Sequence, residues 1–234
     1  MRKTNKGAAD NNSPRRTQAE RRQSMRQRLL DATLHCLAND GYAGTTISRV
    51  IEVAEVSRGA PVHHFPSKDA MIAAAAEQLV RRIYVKLGEA IGRLETSDDR
   101  LHELIYASWK GVFQHPEYVA MNELLQASRH DQALASILQQ LWTTGLKVVS
   151  DGAGHYLESV SDTGDVRQHM VLTQWLLRGM AEDLHLMSDQ VIFDQYLRLW
   201  TQILAQHLRA RAEVTTSPKK PENWDSSLLK KLDE

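Results

Sequence analysis

The sequence predicts an all-α protein: a small helical head, one long connecting helix and a larger helical body. Three observations carry this expectation. Apolar residues recur at i, i+3, i+4 and i+7 spacing in one segment after another. Ser, Thr and Asp stand at capping positions around several of these segments. No convincing strand interrupts them. With 234 residues, 42% of them apolar, the chain is long enough to bury a real core.

Bulk properties narrow the class further. No run approaches the roughly 18 apolar residues of a membrane span. The first 30 residues lack the apolar block of a secretory signal, so the cytoplasm is the expected location. The single cysteine, Cys36, cannot form an internal disulfide, which fits a reducing compartment. A net charge of zero hides an asymmetry. Residues 1–28 hold nine Lys or Arg against Asp10 and Glu20, a net +7 that the remaining chain balances with −7. A basic head on an acidic body points to a polyanion partner at one end, nucleic acid first; the alternative is a solvated basic tail.

Residues 1–22, rich in Asn, Ser, Pro and Arg, show no apolar periodicity and read as a flexible arm. From Ser24 the pattern turns helical. Leu30, Leu34 and Leu37, with Leu29 and Cys36 beside them, follow i, i+4, i+7, and Gly41 stands where a C-cap glycine belongs. Thr45 and Thr46 offer N-cap hydroxyls to a short second helix whose buried side is Ile47, Val50, Ile51 and Ala54. Only Glu55 and Val56 separate it from Ser57, the next candidate cap. Helix, tight turn, helix is the arrangement that docks its second helix in a DNA major groove.

The spacing thus predicts a short recognition helix over Ser57–Phe65. Its first turn is expected to be distorted, because Pro61 has no N–H for the first intrahelical bond and its ring crowds the Ser57 carbonyl. Gly59 lowers helix propensity by about 1 kcal/mol, yet lets backbone approach a phosphate or base. Phe65 and Pro66 end this element. Ser67 then caps a connecting helix from Lys68 to about Gly88, with Asp69 near its positive end.

The segment Arg28 to Met71, RLLDATLHCLANDGYAGTTISRVIEVAEVSRGAPVHHFPSKDAM, resembles the N-terminal DNA-binding domain of the TetR (tetracycline repressor) family of bacterial transcription regulators. LLDA, GY, TTIS, VSRGA and HHFPSKDAM occur in that order with family spacing; the rest of the chain matches only as a helical pattern. The resemblance implies a three-helix DNA-binding head on an all-helical ligand-binding and dimerisation body. It places Thr46 at a phosphate contact with Arg49 close by. Ser57, Arg58, Gly59, Ala60 and Pro61 fall where the recognition helix meets bases, His63 and His64 where its far end meets the DNA backbone, and Lys68 on a phosphate. Two residues depart from the pattern. Glu55 occupies a turn position that is usually glycine, where a left-handed conformation costs more. Pro61 replaces a larger aliphatic or polar residue and can read a base only by apolar contact, as with a thymine methyl. The division implied is an arm over 1–22, a helix-turn-helix head over 23–70, an effector-binding and dimerisation body over 71–212, and a mobile tail over 213–234 in which Trp224 is a candidate docking residue.

Other chemistries find less support. His63 and His64 diverge by about 100° as helix neighbours and do not readily share a metal ion. His102-Glu103 opens like a zinc-protease motif, but Tyr106 stands where the second histidine belongs. Cys36, on the apolar face of the first helix, reads as a packed thiol rather than a redox sensor. No enzyme constellation and no cofactor are expected.

Helical segments recur over about 98–114, 116–129, 131–158, 163–186 and 189–212. In the last of these, Ile192, Phe193, Tyr196, Leu197, Leu199, Trp200, Ile203, Leu204 and Leu208 cover about 180° of the girth, against roughly 100° for an ordinary surface helix. Such a helix packs on its own domain and on a second surface. That surface is expected to be the same helix of another copy together with Val171–Ala181, where Gly179 permits close approach; the expected interface residues are Val171, Trp175, Gly179, Ile192, Tyr196, Leu199, Trp200 and Ile203. Trp109, Phe113, Met121, Leu125, Trp142 and Trp175 are candidates for an effector cavity, and the same residue types serve equally well as helical core. Few charges among them favour a hydrophobic or aromatic small molecule. The function expected is that of a homodimeric repressor on a palindromic operator in double-stranded DNA, released by an effector. The alternative is a helical ligand carrier or protein adaptor that keeps the head without using it.

Overall fold

Helix α1 (Gln18–Gly44) begins six residues before the periodicity does. Thr17 and Glu20 explain the difference: the Thr17 hydroxyl accepts from the Glu20 amide at 3.2 Å, and the Glu20 carboxylate accepts from the Thr17 amide at 2.7 Å. This capping box needs no apolar residue, so a reading by hydrophobic spacing misses it. Residues 17–22, expected in the flexible arm, are therefore capped helix. The computed structural model describes residues 17–93, 99–187, 189–212, 214 and 216–219, and the rest of the expected arm lies outside them, as does Trp224.

Gly41 does not end α1. It adopts φ 72°, ψ 175°, a conformation essentially confined to glycine, and helical geometry resumes for one short turn beyond it. The kink carries Tyr42 against the body, where its amide donates to Glu123 at 3.1 Å and its hydroxyl to Asp131 at 3.0 Å. Buried Thr45 closes the kink by donating its hydroxyl to the Gly41 carbonyl at 2.7 Å. Helix α2 (Ile47–Ala54) follows as the sequence predicts. Leu29, Leu30, Leu34 and Leu37 of α1 form the core of the head with Val50, Ala54, Phe65, Met71 and Ile72, all buried.

The connecting helix α3 runs from Lys68 to Arg93, five residues beyond the expected end. The body follows as α4 (Arg100–Ser108), α5 (Glu117–Ala127), α6 (Gln132–Tyr156), α7 (Val166–Glu182) and α8 (Val191–Leu204). A π turn, Trp109–Phe113, continues α4. Among the described residues no helix is long and apolar enough to cross a membrane.

The expectation of no strand is corrected. Leu157–Ser159 (β1) pairs antiparallel with Leu208–Ala210 (β2), so the last helix stops at Leu204 rather than near 212. Each strand is three residues long and buries one leucine, Leu157 or Leu208, which is too short for alternation to show in the sequence. The start of the expected mobile tail is also tied down: Arg100 donates to the carbonyls of Arg211 and Val214 at 2.8 and 2.9 Å.

Arg82 of α3 bridges the two halves, pairing with Asp31 of α1 and Glu117 of α5. Gly41→Ala tests the kink. Its Cβ would stand 3.2 Å from the Glu123 carboxylate in a backbone region closed to L side chains. A loss of about 1–3 kcal/mol is expected, read as a lower midpoint in thermal or urea unfolding; an unchanged midpoint would mean that the kink carries no strain.

Candidate nucleic-acid interface and effector cavity

Thr46 caps α2 from an extended backbone and accepts from the Arg49 amide at 3.2 Å. The side chain is exposed, so the first turn of α2 presents its amide end to solvent, as a phosphate contact requires. Arg49 is less available than the sequence suggests. Its guanidinium binds Asp40 at 2.8 Å and Glu52 at 3.1 Å, and these two hydrogen-bonded carboxylates hold its pKa above the ordinary arginine value.

The turn after α2 is closed by a left-handed residue. Glu55 has φ 51°, ψ 49°, the one non-glycine with positive φ among the described residues. Val56 N–H reaches the Ile51 carbonyl at 3.2 Å and Glu55 N–H the Glu52 carbonyl at 3.1 Å, the two bonds of a Schellman cap. Arg28 of α1 donates to the Ala54 carbonyl at 2.5 Å and to that of Glu55 at 3.4 Å. It thus pins the turn that glycine would otherwise relax.

The expected recognition helix is two tight turns instead. Because Pro61 has no N–H, the Ser57 carbonyl accepts from Ala60 at 3.0 Å rather than from the fourth residue on. A 3₁₀ turn, Pro61–His63, follows, and the Pro61 carbonyl then accepts from both His64 and Phe65. The element coils from Ser57 to Phe65, but not as one α-helical rod. The distortion foreseen for the first turn extends through the whole segment.

This coiling re-sorts the expected base-reading residues. Ser57, Arg58 and Gly59 are exposed, whereas Ala60 and Pro61 are buried. Pro61 therefore cannot meet a thymine methyl without unseating the head's core. Val62, 75% exposed, stands outward in its place beside exposed His63. Sequence reasoning passed over Val62 because an apolar residue in a helix is ordinarily taken as core. His64 is half-buried, and burial, then Arg22, His63 and Arg26, lower its pKa and keep it neutral. Ser67 caps α3, accepting from Ala70 at 3.1 Å. The Lys68 ammonium lies 5.3 Å from the Tyr42 ring centroid, on the head–body junction.

In the body, an apolar cavity of about 90 Å³ lies between α3, α4, α5, α6 and α7. Phe113, Met121, Leu125 and Trp142 line it, as expected. Trp109 does not: it is fully buried and packs on Phe193 of α8 at 5.4 Å between centroids. Trp175 does not either, being 51% exposed on the outer face of α7. The sequence analysis missed Tyr84, Ser108, Tyr118, Thr173 and Gln174, the polar part of the wall. Tyr84 donates to the Leu141 carbonyl at 3.1 Å and fills the space above Gly145, where a Cβ would collide with its hydroxyl.

The outer faces of α7 and α8 remain uncovered. Leu172, Trp175, Leu176 and Gly179 are exposed at i, i+3, i+4 and i+7, next to Tyr196, Leu199 and Ile203 on α8. Of the other expected interface residues, Val171, Ile192 and Trp200 are half-buried; the Trp200 indole turns inward and donates to Thr173 at 3.0 Å.

Comparison with known proteins matches residues 29–75 to the model of bacterial regulatory proteins of the tetR family. The HTH-type transcriptional regulator CymR of Pseudomonas putida is 33% identical over 137 residues, covering 58% of this chain and 67% of CymR. The chain belongs to the TetR family of DNA-binding transcriptional regulators. The HTH-type transcriptional repressor AcnR of Corynebacterium efficiens aligns at 26% identity over 199 residues, 84% of this chain and 94% of AcnR. A crystal structure of a TetR-family regulator from Rhodococcus sp. shares the fold, with TM-score 0.63 at 21% identity over 77% of this chain and 98% of that one. TetR-family regulators bind operator DNA, and the family model matches the residues of the head described above.

Two substitutions test the geometry of this head. Glu55→Gly relieves the left-handed strain and is expected to raise stability by about 1 kcal/mol; a lower denaturation midpoint would show that the Glu55 side chain makes up the strain elsewhere. Asp40→Asn combined with Glu52→Gln releases Arg49. Fluorescence anisotropy on duplex DNA is then expected to show tighter binding, with a salt slope steeper by about one; an unchanged slope would mean that Arg49 never meets a phosphate.

Proposed function

We propose that this TetR-family regulator is a homodimeric repressor, released from a palindromic operator when a small apolar effector enters the cavity of the body. The supporting observation is the two-sided character of α5. Tyr118, Met121 and Leu125 face the cavity, while Glu117 and Glu123 hold Arg82 and Tyr42 on the side of the head. A ligand can act only by binding the DNA-competent and DNA-incompetent arrangements with different affinity. The cavity is smaller than the roughly 150 Å³ that admits benzene in an engineered apolar site. A ring-sized effector would have to displace a wall, and α5 is the wall tied to the head.

On the DNA side, the reading assigns phosphate contacts to Thr46, His63 and Lys68, with His64 donating as a neutral ring. Base reading falls to Ser57, Arg58, Gly59 and the exposed Val62. Arg58 suits a guanine edge and Val62 a thymine methyl. Arg49 joins them only if it leaves its two acids. The division into a DNA-binding head and an effector-binding, dimerising body is part of the same proposal, with the head starting at Gln18.

The outer face of α7 and α8 supports the dimer. Trp175, Tyr196 and Leu199 are each about half exposed on the outer faces of these two helices, and large exposed apolar side chains gathered on one face mark interaction surfaces. A two-fold partner would bring two heads to successive major grooves, about 34–36 Å apart.

Sedimentation is expected to show a dimer at micromolar concentration for the wild type and a folded monomer for Trp175→Arg. A wild-type monomer would remove the dimer from the reading. Anisotropy against DNA from upstream of the protein's own gene tests the rest: wild type is expected to bind with a steep salt dependence, and removal of residues 1–16 to flatten the slope. No preference over random duplex would sink the operator reading, and an unchanged slope would show that the arm is not engaged.

A further inference from the structure

The cavity wall contains no Asp, Glu, Lys, Arg or His. One cation nevertheless stands at its edge. On α7, Leu177 and Gln174 line the cavity, and Arg178 follows them, one residue and one turn on. Its guanidinium carbon lies 5.5 Å from the ring centroid of Trp142, which is itself a wall residue from α6. Stacked in this way, an arginine keeps its N–H edges free for an acceptor. Among the described residues no carboxylate pairs with it; Glu182, one turn further along α7, makes no ion pair with it.

Tyr118 of α5 is a second donor on the wall, near enough to Arg178 for that charge to act on its phenol. Tyr118 is 7% exposed and lines the cavity, and among the described residues its hydroxyl has no hydrogen-bond partner. Burial raises its pKa, with Arg178 opposing and Glu182 reinforcing the shift, so the phenol remains a donor and lies within the field of that arginine. A phenol on a cavity wall that spends its proton on no protein group can donate to an acceptor that enters. Arg178, Tyr118 and the Gln174 amide are all able to donate, whereas the other wall hydroxyls, Tyr84, Ser108 and Thr173, already donate to the carbonyls of Leu141, Leu104 and His169.

We propose that this rim takes the carboxylate of a small apolar acid, Arg178 binding its two oxygens side by side and Tyr118 donating to one of them, while the apolar body fills the cavity. The inference rests on the reading of this cavity as the effector site and adds the ligand's charge to it. A carboxylate on a guanidinium makes charge-assisted, paired hydrogen bonds, which neither an amide nor an alcohol can match. An amine in the same position would meet a like charge.

Calorimetric titration of the full-length protein with hexanoate, phenylacetate and 4-phenylbutyrate, each against its primary amide, tests the inference. At least one acid is expected to bind roughly tenfold or more tightly than its amide. Arg178→Met should bring that acid down to the level of the amide while the amide's own affinity holds, and Arg178→Lys should restore part of the difference. Amides that bind as well as the acids, or an acid preference that survives Arg178→Met, would overturn the carboxylate assignment and leave the cavity standing as an effector site. If neither acids nor amides bind, the cavity reading falls with it.

Discussion

Tyr42 is held by the body at both ends, and the orientation of the head depends on that grip. Its amide reaches Glu123 and its hydroxyl reaches Asp131 only because Gly41 takes a backbone conformation that other residues avoid. The phenol is pushed up to about 12, by burial first and Asp131 next, so it stays a donor at neutral pH. Asp131 is held below the ordinary carboxylate value by the Leu134 amide and then by that hydroxyl. A carboxylate depressed in this way contributes its full stabilisation above its unfolded-state value and loses it only as pH falls through the folded-state one. The Tyr42–Asp131 bond is therefore insensitive to pH near neutrality.

How much of this was legible depended on whether a feature rests on periodicity or on a single bond. α2, with its Thr46 cap, and the start of α3 at Lys68 were readable because apolar spacing, a capping hydroxyl and a proline agreed with one another. The left-handed conformation of Glu55 was readable as a position that would prefer glycine. The Schellman bonds and the Arg28 clamp that stabilise it were not, because Arg28 lies 26 residues away from the Ala54 carbonyl it binds. The inward turn of Pro61 was hidden for a different reason. Whether a residue in a short coiled segment faces the core depends on the phase of the coil, and the missing Pro61 N–H altered that phase. The early start of α1 was lost because its cap is polar.

The effector residues divided along similar lines. Composition alone nominates tryptophans, since they dominate buried area wherever they sit. Trp109, Trp142 and Trp175 nevertheless occupy three different environments: core, cavity wall and outer surface. Helical phase separates Trp175 from Gln174 although they are neighbours in sequence, because consecutive helical residues point about 100° apart. The polar side of the wall escaped notice for the opposite reason. Ser108 and Thr173 each donate to a carbonyl one turn back in their own helix, at 2.7 and 2.8 Å, so in the sequence they resemble ordinary helix residues.

Two mechanical routes leave the cavity, and they differ in what they would couple. α5 connects it to the head through Glu123 on Tyr42 and Glu117 on Arg82. α7 connects it to the exposed apolar face, because Thr173 lines the cavity while accepting from Trp200 of α8. Coupling free energies are reciprocal. An effector working through α7 would change dimer affinity by the factor by which dimerisation changes effector affinity. One working through α5 alone would alter the angle of the heads and leave the dimer as tight as before. The two acids on α5 hold the Tyr42 amide of the head and Arg82, which itself pairs with Asp31 of the head, whereas α7 is joined to α8 by the neutral Trp200–Thr173 hydrogen bond. Charge-assisted hydrogen bonds are roughly twice as strong as neutral ones. In the proposed switch, a shift of the α5 wall would therefore reach the head through both of these contacts, whereas a shift of the α7 wall would reach the α8 face through the Thr173–Trp200 bond.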